Sequence, residues 1–360
     1  MTKKGFLLFI IYFAILISTS CKEKNKTNQS SSQEAKTEEQ SSQKLEEKEL
    51  TGLFPVKQGG KWGYINKMGQ IIIPPQFDAA IYFSEGLARV KLGNLWGYID
   101  ETGKMVISPQ FASAESFSEG LAGVRLADRW GYIDKTGKVV ILPQFDVALT
   151  KDPQFGTVWN FSEGRAVVKI GGKLGYIDKT GNLVINPQFD FAVNFSEGLA
   201  AVNINQRIGY IDKTGSIVIR PQFDFALPFS EGLAAVRTDN KWSYIDKKGE
   251  KVIINQKFEW AAGFFEGLAQ IEIGEKWGYI DKTGKIIIQP QFEEAGWFSE
   301  DRALVMIKDK WGYIDKTGKI VIQPQFDEAI NFSQGLALVR IGNKLAYIDK
   351  SGNYVWKPTE

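Results

Sequence analysis

The sequence predicts an all-β protein made of nine tandem units of about 34 residues. A Tyr-Ile pair recurs nine times, and a glycine stands five residues after each tyrosine, from Gly69 to Gly352. The spacing between tyrosines is 34 except for one interval of 44 and one of 35. A fixed period of this size indicates a repeat architecture. The nine tyrosines are Tyr64, Tyr98, Tyr132, Tyr176, Tyr210, Tyr244, Tyr279, Tyr313 and Tyr347.

Each unit divides into three short strands joined by tight turns, as the second copy illustrates. Residues 87–92 and 95–100 are expected to form the first two strands, and the pair Gly93-Asn94 stands between them. Glycine and asparagine tolerate the positive φ that a two-residue hairpin requires. A third strand is expected over residues 104–107. The unit is therefore predicted to be a three-stranded antiparallel meander.

Two further signals bound the third strand. Asp100 opens a four-residue turn that ends at Gly103; aspartate can accept a hydrogen bond from the backbone two residues on. Glycine at the fourth position takes the left-handed conformation. Pro109 is expected to end the third strand, because proline cannot donate a hydrogen bond to a sheet. The stretch from Pro109 to Gly120 is interpreted as a connection to the next unit.

The nine units could stack as an open array or close into a ring. We expect an open, solenoid-like β-array, with a β-propeller as the alternative. Propeller blades usually hold four strands in about 40–45 residues, and typical propellers have 4–8 blades. The chain also starts with a whole first strand and ends after a third strand, so no strand is offset to close a ring.

The first fifty residues differ from the repeats and read as a targeting segment. Residues 1–20 carry Lys3 and Lys4, a short apolar run and then three small residues, which is typical of a secretory signal. Cys21 follows directly, in the arrangement of a bacterial lipoprotein cleavage site, so we expect lipidation at Cys21 and a place in the cell envelope. A plain secretory signal with an incidental cysteine is the alternative.

After Cys21, residues 22–50 contain no aromatic side chain and are mostly polar or charged. Such a segment cannot bury enough apolar surface to offset the entropy of ordering it. We therefore expect residues 21–50 to be a disordered tether that spans roughly 30 Å as a coil. Residues 51–360 would then hold the nine repeats.

The repeats resemble the WG (or KWG-type) β-repeat family of bacterial secreted proteins. Strings such as Trp62-Gly63-Tyr64-Ile65 and Trp311-Gly312-Tyr313-Ile314 carry the resemblance, with Pro-Gln-Phe and Phe-Ser-Glu-Gly as secondary marks. The resemblance covers residues 52–357 and implies repeat-built β structure, but it implies little about a ligand. Some copies depart from the pattern: Leu174, Ile208 and Leu345 stand in place of tryptophan, and Asn255-Gln256-Lys257-Phe258 replaces the proline motif.

Composition restricts the chemistry that the protein can perform. The chain has no histidine and one cysteine, which excludes histidine-activated nucleophiles, disulfides within the chain and cysteine-rich metal sites. Its 44 basic and 42 acidic residues nearly balance, whereas a nucleic-acid-binding protein should be basic. We expect no enzymatic activity, no cofactor, no metal and no nucleic-acid partner. An enzyme with a carboxylate and lysine site remains the least favoured alternative.

Three features could form a binding site. The recurrent tryptophans could stack on sugars, but the apolar replacements at three copies favour a core position. The periodic carboxylates could bind calcium, but turn formation explains the aspartates. The ten-residue insertion before Asn160 contains Phe155 and Trp159, which are candidate contacts for a partner. We expect a membrane-anchored, non-catalytic surface for a protein or glycan partner, with a glycan or cell-wall binder as the alternative.

Overall fold

The computed structural model describes residues 52–146, 160–254 and 258–357. These residues form strands and no helix, arranged as nine small antiparallel sheets around a ring. The fold is a nine-bladed β-propeller. Within the described ranges there is no helix with the length and apolar character needed to cross a bilayer. The predicted signal, Cys21 and the tether lie outside the described residues.

The strands follow one another blade by blade. Blades 1 to 3 comprise β1 Phe54–Gln58, β2 Lys61–Ile65, β3 Ile71–Phe77; β4 Ala79–Ala80, β5 Leu87–Leu92, β6 Leu95–Asp100, β7 Met105–Phe111; β8 Ser113–Ala114, β9 Leu121–Leu126, β10 Arg129–Asp134, β11 Val139–Phe145. Blades 4 to 6 comprise β12 Ala166–Ile170, β13 Lys173–Ile177, β14 Leu183–Phe189; β15 Ala200–Ile204, β16 Arg207–Ile211, β17 Ile217–Phe223; β18 Phe225–Ala226, β19 Ala234–Thr238, β20 Lys241–Ile245, β21 Lys251–Ile254. Blades 7 to 9 comprise β22 Trp260–Phe265, β23 Leu268–Ile273, β24 Lys276–Asp281, β25 Ile286–Phe292; β26 Glu294–Ala295, β27 Ala303–Ile307, β28 Lys310–Ile314, β29 Ile320–Phe326; β30 Glu328–Ala329, β31 Leu336–Ile341, β32 Lys344–Asp349, β33 Tyr354–Trp356.

The predicted three-stranded meander is present in every blade, and six blades add a fourth, shorter strand. In blade 2 this inner strand pairs Ala79 with Lys91 and Ala80 with Val90. A hairpin turn between Ser84 and Leu87 then joins it to β5. Part of the segment interpreted from sequence as a connection is therefore the innermost strand, which contacts the tyrosine-bearing strand of the preceding blade.

The last strand of each blade lies at the outer edge of its sheet, and in seven blades it runs past the proline. In blade 2, β7 runs through Pro109 to Phe111, which pairs with Trp96. Three residues of β7, from Ser108 to Gln110, lie opposite the single residue Gly97 of β6, so the proline lies in a bulge. An edge strand tolerates proline because no neighbouring strand needs its missing N–H group. The expected end at Pro109 is thus wrong.

This bulge explains the glycine that follows tryptophan. A Cβ atom at Gly97 would lie 2.5 Å from the carbonyl oxygen of Ile107 and 2.7 Å from the nitrogen of Pro109. Two blades carry a larger residue there, Ser243 and Ala346. Described β21 and β33 stop before the bulge position in both blades. Glycine is therefore required where the bulge of the outer strand lies against the neighbouring, tyrosine-bearing strand of the same blade.

The core lies between blades. The Tyr98 hydroxyl donates a hydrogen bond to the carbonyl oxygen of Glu115 on the next inner strand, over 2.6 Å. Its ring packs edge-on against Phe117 of that strand, with ring centroids 4.9 Å apart. The Ser84 hydroxyl donates to the carbonyl oxygen of Phe117 as well. Each blade is thereby stabilised by its neighbour, as in other repeat proteins.

The ring closes between blade 9 and blade 1, so the open array favoured from sequence is wrong and the β-propeller alternative is confirmed. The Tyr347 hydroxyl donates to the carbonyl oxygen of Pro55 over 3.0 Å, and its ring lies 5.5 Å from Phe54. The other eight blades have alanine where blade 1 has Phe54. The Tyr82 hydroxyl completes the junction, 3.0 Å from that of Tyr347.

Closure thus uses altered side chains instead of an exchanged strand. Phe54 supplies the ring that an inner-strand phenylalanine supplies at the other junctions. Trp356 pairs with Tyr347 at the position where the other outer strands carry isoleucine. The larger side chains fill the space at the junction, which is why an offset strand is not needed.

Candidate binding surfaces

The tryptophans belong mainly to the core. Trp130, Trp242 and Trp311 are 2%, 1% and 2% exposed, and Trp277 is also buried. Among the described tryptophans that precede the repeated glycine, only Trp62 and Trp96 are half-buried. A row of sugar-stacking platforms would need exposed rings at several copies. The geometry therefore favours the interpretation of these residues as packing groups.

The glutamates of the Ser-Glu-Gly turns link neighbouring blades. Glu85 has a φ of 53°, an uncommon value for a residue with a side chain. Its carboxylate accepts a hydrogen bond from the Gly120 nitrogen at 3.0 Å and pairs with Lys135 at 3.3 Å. The same arrangement recurs around this face, which we call the turn face. The inter-blade contact offsets the strain of the turn, so these carboxylates are structural.

The aspartates after Tyr-Ile serve their own turns. Asp100 accepts hydrogen bonds from the backbone of Thr102 and Lys104 and from the Thr102 hydroxyl. These bonds, chiefly that from the hydroxyl, lower the pKa of the Asp100 carboxyl. Among the described residues no group of three or more acidic or cysteine side chains is placed to hold a metal ion.

The buried tyrosines keep their protons at neutral pH. Burial raises the pKa of Tyr82 to about 12 and that of Tyr98 above its usual range. Glu115 is a second buried ionisable group, and burial raises the pKa of its carboxyl despite the nearby Arg89. Arg89 pairs with Glu115 at 3.2 Å, so the two form a local ion pair between blades 2 and 3.

The opposite face, called here the hairpin face, carries the two-residue hairpins and the residues that join one blade to the next. An acidic residue occupies seven of the eight joining positions. Asp78 pairs with Lys61 of the preceding blade at 2.6 Å and accepts a hydrogen bond from the Gly93 nitrogen of the next at 2.7 Å. The others are Asp146, Asp190, Asp224, Glu259, Glu293 and Asp327.

One junction on this face breaks the charged ring. Ala112 stands at the joining position after blade 2. Leu95 begins β6, at a position that holds lysine or arginine in the other eight copies. Leu92 pairs with Leu95 across the hairpin, and these leucines are 38% and 40% exposed. Trp96, the residue that follows Leu95 in β6, is half-buried. We call Leu92, Leu95, Trp96 and Ala112 the apolar patch.

The insertion predicted as a contact site falls within residues 147–159, between Asp146, which is a joining residue of this face, and Asn160. Phe155 and Trp159 themselves lie outside the described residues. The apolar patch could not be predicted from the sequence, because Leu95 and Ala112 are two separate departures from the repeat and only the fold brings them to one junction.

A second irregular place lies on blade 6. A cavity of about 250 Å³ is lined by Trp242, Ser243 and Ile254, together with Thr238, Asp239, Lys241 and Lys251. Trp242 and Ser243 are only 1% and 4% exposed. The Trp242 Nε1 and Ser243 Oγ atoms have no hydrogen-bond partner. We call this cavity the blade 6 cleft. This copy of the repeat lacks the proline motif and has Asn255-Gln256-Lys257-Phe258 instead, a departure for which the sequence alone predicts no role.

The repeat pattern named "WG containing repeat" matches this chain in nine segments. They cover residues 62–96, 96–130, 130–150, 151–173, 175–207, 208–242, 242–277, 277–311 and 311–344. The chain belongs to this WG-repeat family. The family resemblance stated from sequence is confirmed, and no curated protein matches the chain.

Solved structures similar to this WG-repeat protein agree on the fold alone. A eukaryotic initiation factor shares 12% identity with it, over 84% of this chain and 94% of the other, with a TM-score of 0.62. The dihydro-heme d1 dehydrogenase NirN shares 14% identity over 76% of this chain and 73% of its own, with a TM-score of 0.46. The likeness to the initiation factor supports the fold alone, a β-propeller built from repeats, which is an architecture consistent with a binding or scaffold surface.

Proposed function

We propose that this WG-repeat propeller is a non-catalytic scaffold, tethered by a lipid on Cys21, that binds a protein partner in the cell envelope. The observation that carries the proposal is the use of the repeated polar and aromatic residues in contacts between blades. Glu85, Asp78 and Tyr98 each bond to a neighbouring blade. Residues that depart from the repeat are therefore the best candidates for recognition.

The apolar patch is the binding surface that we favour. Leu95 is exposed where other junctions carry the basic partner of an ion pair, and the exposed Leu92 pairs with it across the hairpin. Lys91 lies beside the patch, with its Nζ atom 5.9 Å from the centre of the Trp96 ring. An apolar centre with a polar rim is the usual anatomy of a protein interface. A partner with apolar side chains and an acidic edge would complement it.

The N-terminal segment supports a place at a membrane. A lipidated Cys21 followed by a polar stretch would hold the propeller roughly 30 Å from a lipid surface. That distance leaves both faces of the ring accessible to other envelope proteins. The order of signal, cysteine and polar stretch is read from the sequence.

A glycan partner is the second candidate. It is favoured by the half-buried rings of Trp62 and Trp96, which hold the same position on the neighbouring blades 1 and 2. Aromatic rings bind the apolar faces of sugars. The burial of Trp130, Trp242, Trp277 and Trp311 leaves only two rings for such contacts among the described tryptophans at this position.

Site-specific photo-cross-linking in the producing cells tests the protein interface. A photoreactive amino acid at Leu92 should form a protein adduct, because this side chain is exposed at the patch. Ile341 is the matched control, since it holds the same position on blade 9 and is 42% exposed. The paired change Leu95→Lys and Ala112→Asp rebuilds the ion pair seen at other junctions and should remove the Leu92 adduct.

Equal adducts at Leu92 and Ile341, or an adduct that survives the rebuilt ion pair, would contradict the proposed interface. A carbohydrate array probed with the full chain separates the glycan candidate. Binding of the full chain to a glycan on the array, its loss in Trp96→Ala and the absence of a Leu92 adduct would together indicate glycan recognition instead of a protein interface.

A further inference from the structure

One position of the inner strands differs in chemistry from blade to blade. In six blades, the first residue of the inner strand pairs with the same position of the strand beside it. That position holds an arginine in three of these blades: Arg125, Arg237 and Arg340. Because the three arginines occupy one position of the same framework, the groups that accompany each of them can be compared directly.

Two of these arginines have a partner on their own inner strand. In blade 9, an Arg340 guanidinium nitrogen lies 2.6 Å from a carboxylate oxygen of Glu328. In blade 6, the Arg237 guanidinium carbon lies 5.8 Å from the centre of the Phe225 ring and 5.8 Å from that of Trp242. Contact with aromatic faces stabilises a cation. A carboxylate or an aromatic ring at the inner strand thus accompanies the arginine in both blades.

Arg125 in blade 3 has neither kind of partner. The inner-strand residue that pairs with it is Ser113, which can supply neither a carboxylate nor a ring. Arg125 is half-buried, and its Nε atom is buried without a hydrogen-bond partner. Its guanidinium forms no ion pair with another described residue. A partly desolvated charge without a counter-charge is unfavourable, so this arginine would gain most from an external anion.

Two acidic residues of the adjoining segments already have partners. Glu115, which comes just after the inner strand of blade 3, pairs with Arg89 at 3.2 Å. Asp146, at the next joining position, pairs with Arg129. A move of either carboxylate to Arg125 would leave another arginine without its counter-charge. A bound molecule can supply a carboxylate to Arg125 without this cost.

The space beside Arg125 adjoins the apolar patch. Ser113 follows Ala112 of the patch directly in the chain. On blade 2, Lys91 holds the position of Arg125 and pairs with Ala79 on its inner strand. Two neighbouring blades therefore combine a basic side chain with a small inner-strand residue, and both lie next to the proposed protein interface. A partner bound there would present its own side chains to this positive region.

We propose that the protein partner of the apolar patch places an aspartate or glutamate side chain beside Ser113, where its carboxylate binds the Arg125 guanidinium. The carboxylate has the role that Glu328 has beside Arg340. Arginine and carboxylate form short, often bidentate hydrogen bonds, and such charge pairs fix the orientation of a partner. This inference rests on the proposed protein interface and specifies the chemistry that the partner needs at one position.

The test uses the full chain and starts from the Leu92 photo-adduct in the producing cells. The partner in the adduct is identified by mass spectrometry and purified, and its affinity for the full chain is measured. Arg125→Met gives blade 3 the residue that blade 8 has at this position, Met306, so the fold should accept it. This change should weaken binding about tenfold, as expected for the loss of one charged hydrogen-bonded pair. Arg340→Met is the matched control on blade 9 and should leave the affinity unchanged.

A second pair of variants separates charge from size. Ser113→Glu copies the arrangement of blade 9, so its carboxylate should bind Arg125 and exclude that of the partner. Ser113→Gln has nearly the same size and no charge, so it should weaken binding less than Ser113→Glu. Added salt should weaken binding of the unaltered chain more than that of Arg125→Met, because salt screens the charge pair.

The outcomes distinguish this inference from the interface on which it rests. Absence of the Leu92 adduct from the unaltered chain would remove the interface and this inference together. A partner whose affinity is unchanged by Arg125→Met, or falls equally with Arg340→Met, would overturn the inference and leave the interface in place. Equal weakening by Ser113→Gln and Ser113→Glu would show that size decides binding, and it would overturn the role of the carboxylate.

Discussion

Replacing Gly209 by alanine should destabilise blade 5 because the outer strand leaves no room for a methyl group. A Cβ atom there would lie 2.5 Å from the Ile219 carbonyl oxygen and 2.8 Å from the Pro221 nitrogen. Ordinary contacts begin near 3.4 Å, so backbone must move by several tenths of an ångström or more. Because the obstructing atoms belong to the backbone, no side-chain rotation can relieve the overlap.

The magnitude follows from two opposing effects. Overpacking of a tight site costs about 1–3 kcal/mol. Replacing glycine by alanine also reduces the entropy of the unfolded chain, which stabilises by about 0.4–1 kcal/mol. We expect a net loss of about 1–2 kcal/mol in the free energy of unfolding. Ser243→Ala is the matched control and should change stability little by comparison, because blade 6 already accommodates a Cβ atom there.

Urea unfolding followed by tryptophan fluorescence measures the overall change. A repeat protein can open locally, so hydrogen exchange of β16 and β17 should accompany it. Faster exchange in these two strands of Gly209→Ala is the expected sign. If Gly209→Ala matched Ser243→Ala within about 0.5 kcal/mol, the spread of ordinary surface substitutions, the explanation of the Trp-Gly pair would be wrong.

Three more predictions concern the ring, the tyrosines and the anchor. Phe54→Ala should lower the free energy of unfolding by about 3–5 kcal/mol, as for other buried phenylalanines. It should also speed hydrogen exchange in β1 and β32, and unchanged exchange there would contradict the role given to Phe54. Burial raises the tyrosine pKa values, to about 12 for Tyr82, above their unfolded value of 10. The unfolded chain therefore releases these protons first as pH rises, so the contribution of the tyrosines to stability is full below pH 10 and is lost above it; phenolate absorbance that appears before unfolding would refute this. Cys21→Ala should abolish metabolic labelling with a palmitate analogue, and equal labelling of both proteins would exclude lipidation at this residue.

The repeated unit could be predicted in part because its signals are local. Gly93-Asn94 and Asp100 specify their turns through backbone preferences and hydrogen bonds that span a few residues. The inner strand could not be found this way, since only Ala79 and Ala80 form its ladder pairs in blade 2. Two paired residues carry no alternation of apolar and polar side chains.

Ring closure depends on contacts that sequence spacing does not reveal. Phe54 is visibly unusual among eight alanines once the copies are aligned. Its meaning requires knowing that Tyr347 lies next to it, although the two are nearly the whole chain apart in sequence. The general rules on strand number and blade number favoured an open array because they do not include closure by enlarged side chains.

The candidate sites were only partly predictable for the same reason. Ser113 was visible as a small residue at a variable position, but its consequence appears only beside Arg125. Leu95 and Ala112 lie in different strands, and the fold brings both to one junction. The insertion with Phe155 and Trp159 stays a prediction, because it lies outside the described residues.

The distance between blades 1 and 9 tests the closed ring most directly. Nitroxide labels at Met68 and Ser351, in a Cys21→Ser background, occupy the same turn of the first and last blades. Labels at Thr317 and Ser351 provide the reference for two blades that adjoin in sequence. A closed propeller predicts the same short separation for both pairs by pulsed electron paramagnetic resonance. A Met68–Ser351 separation several times the reference would show that the nine units form an open array.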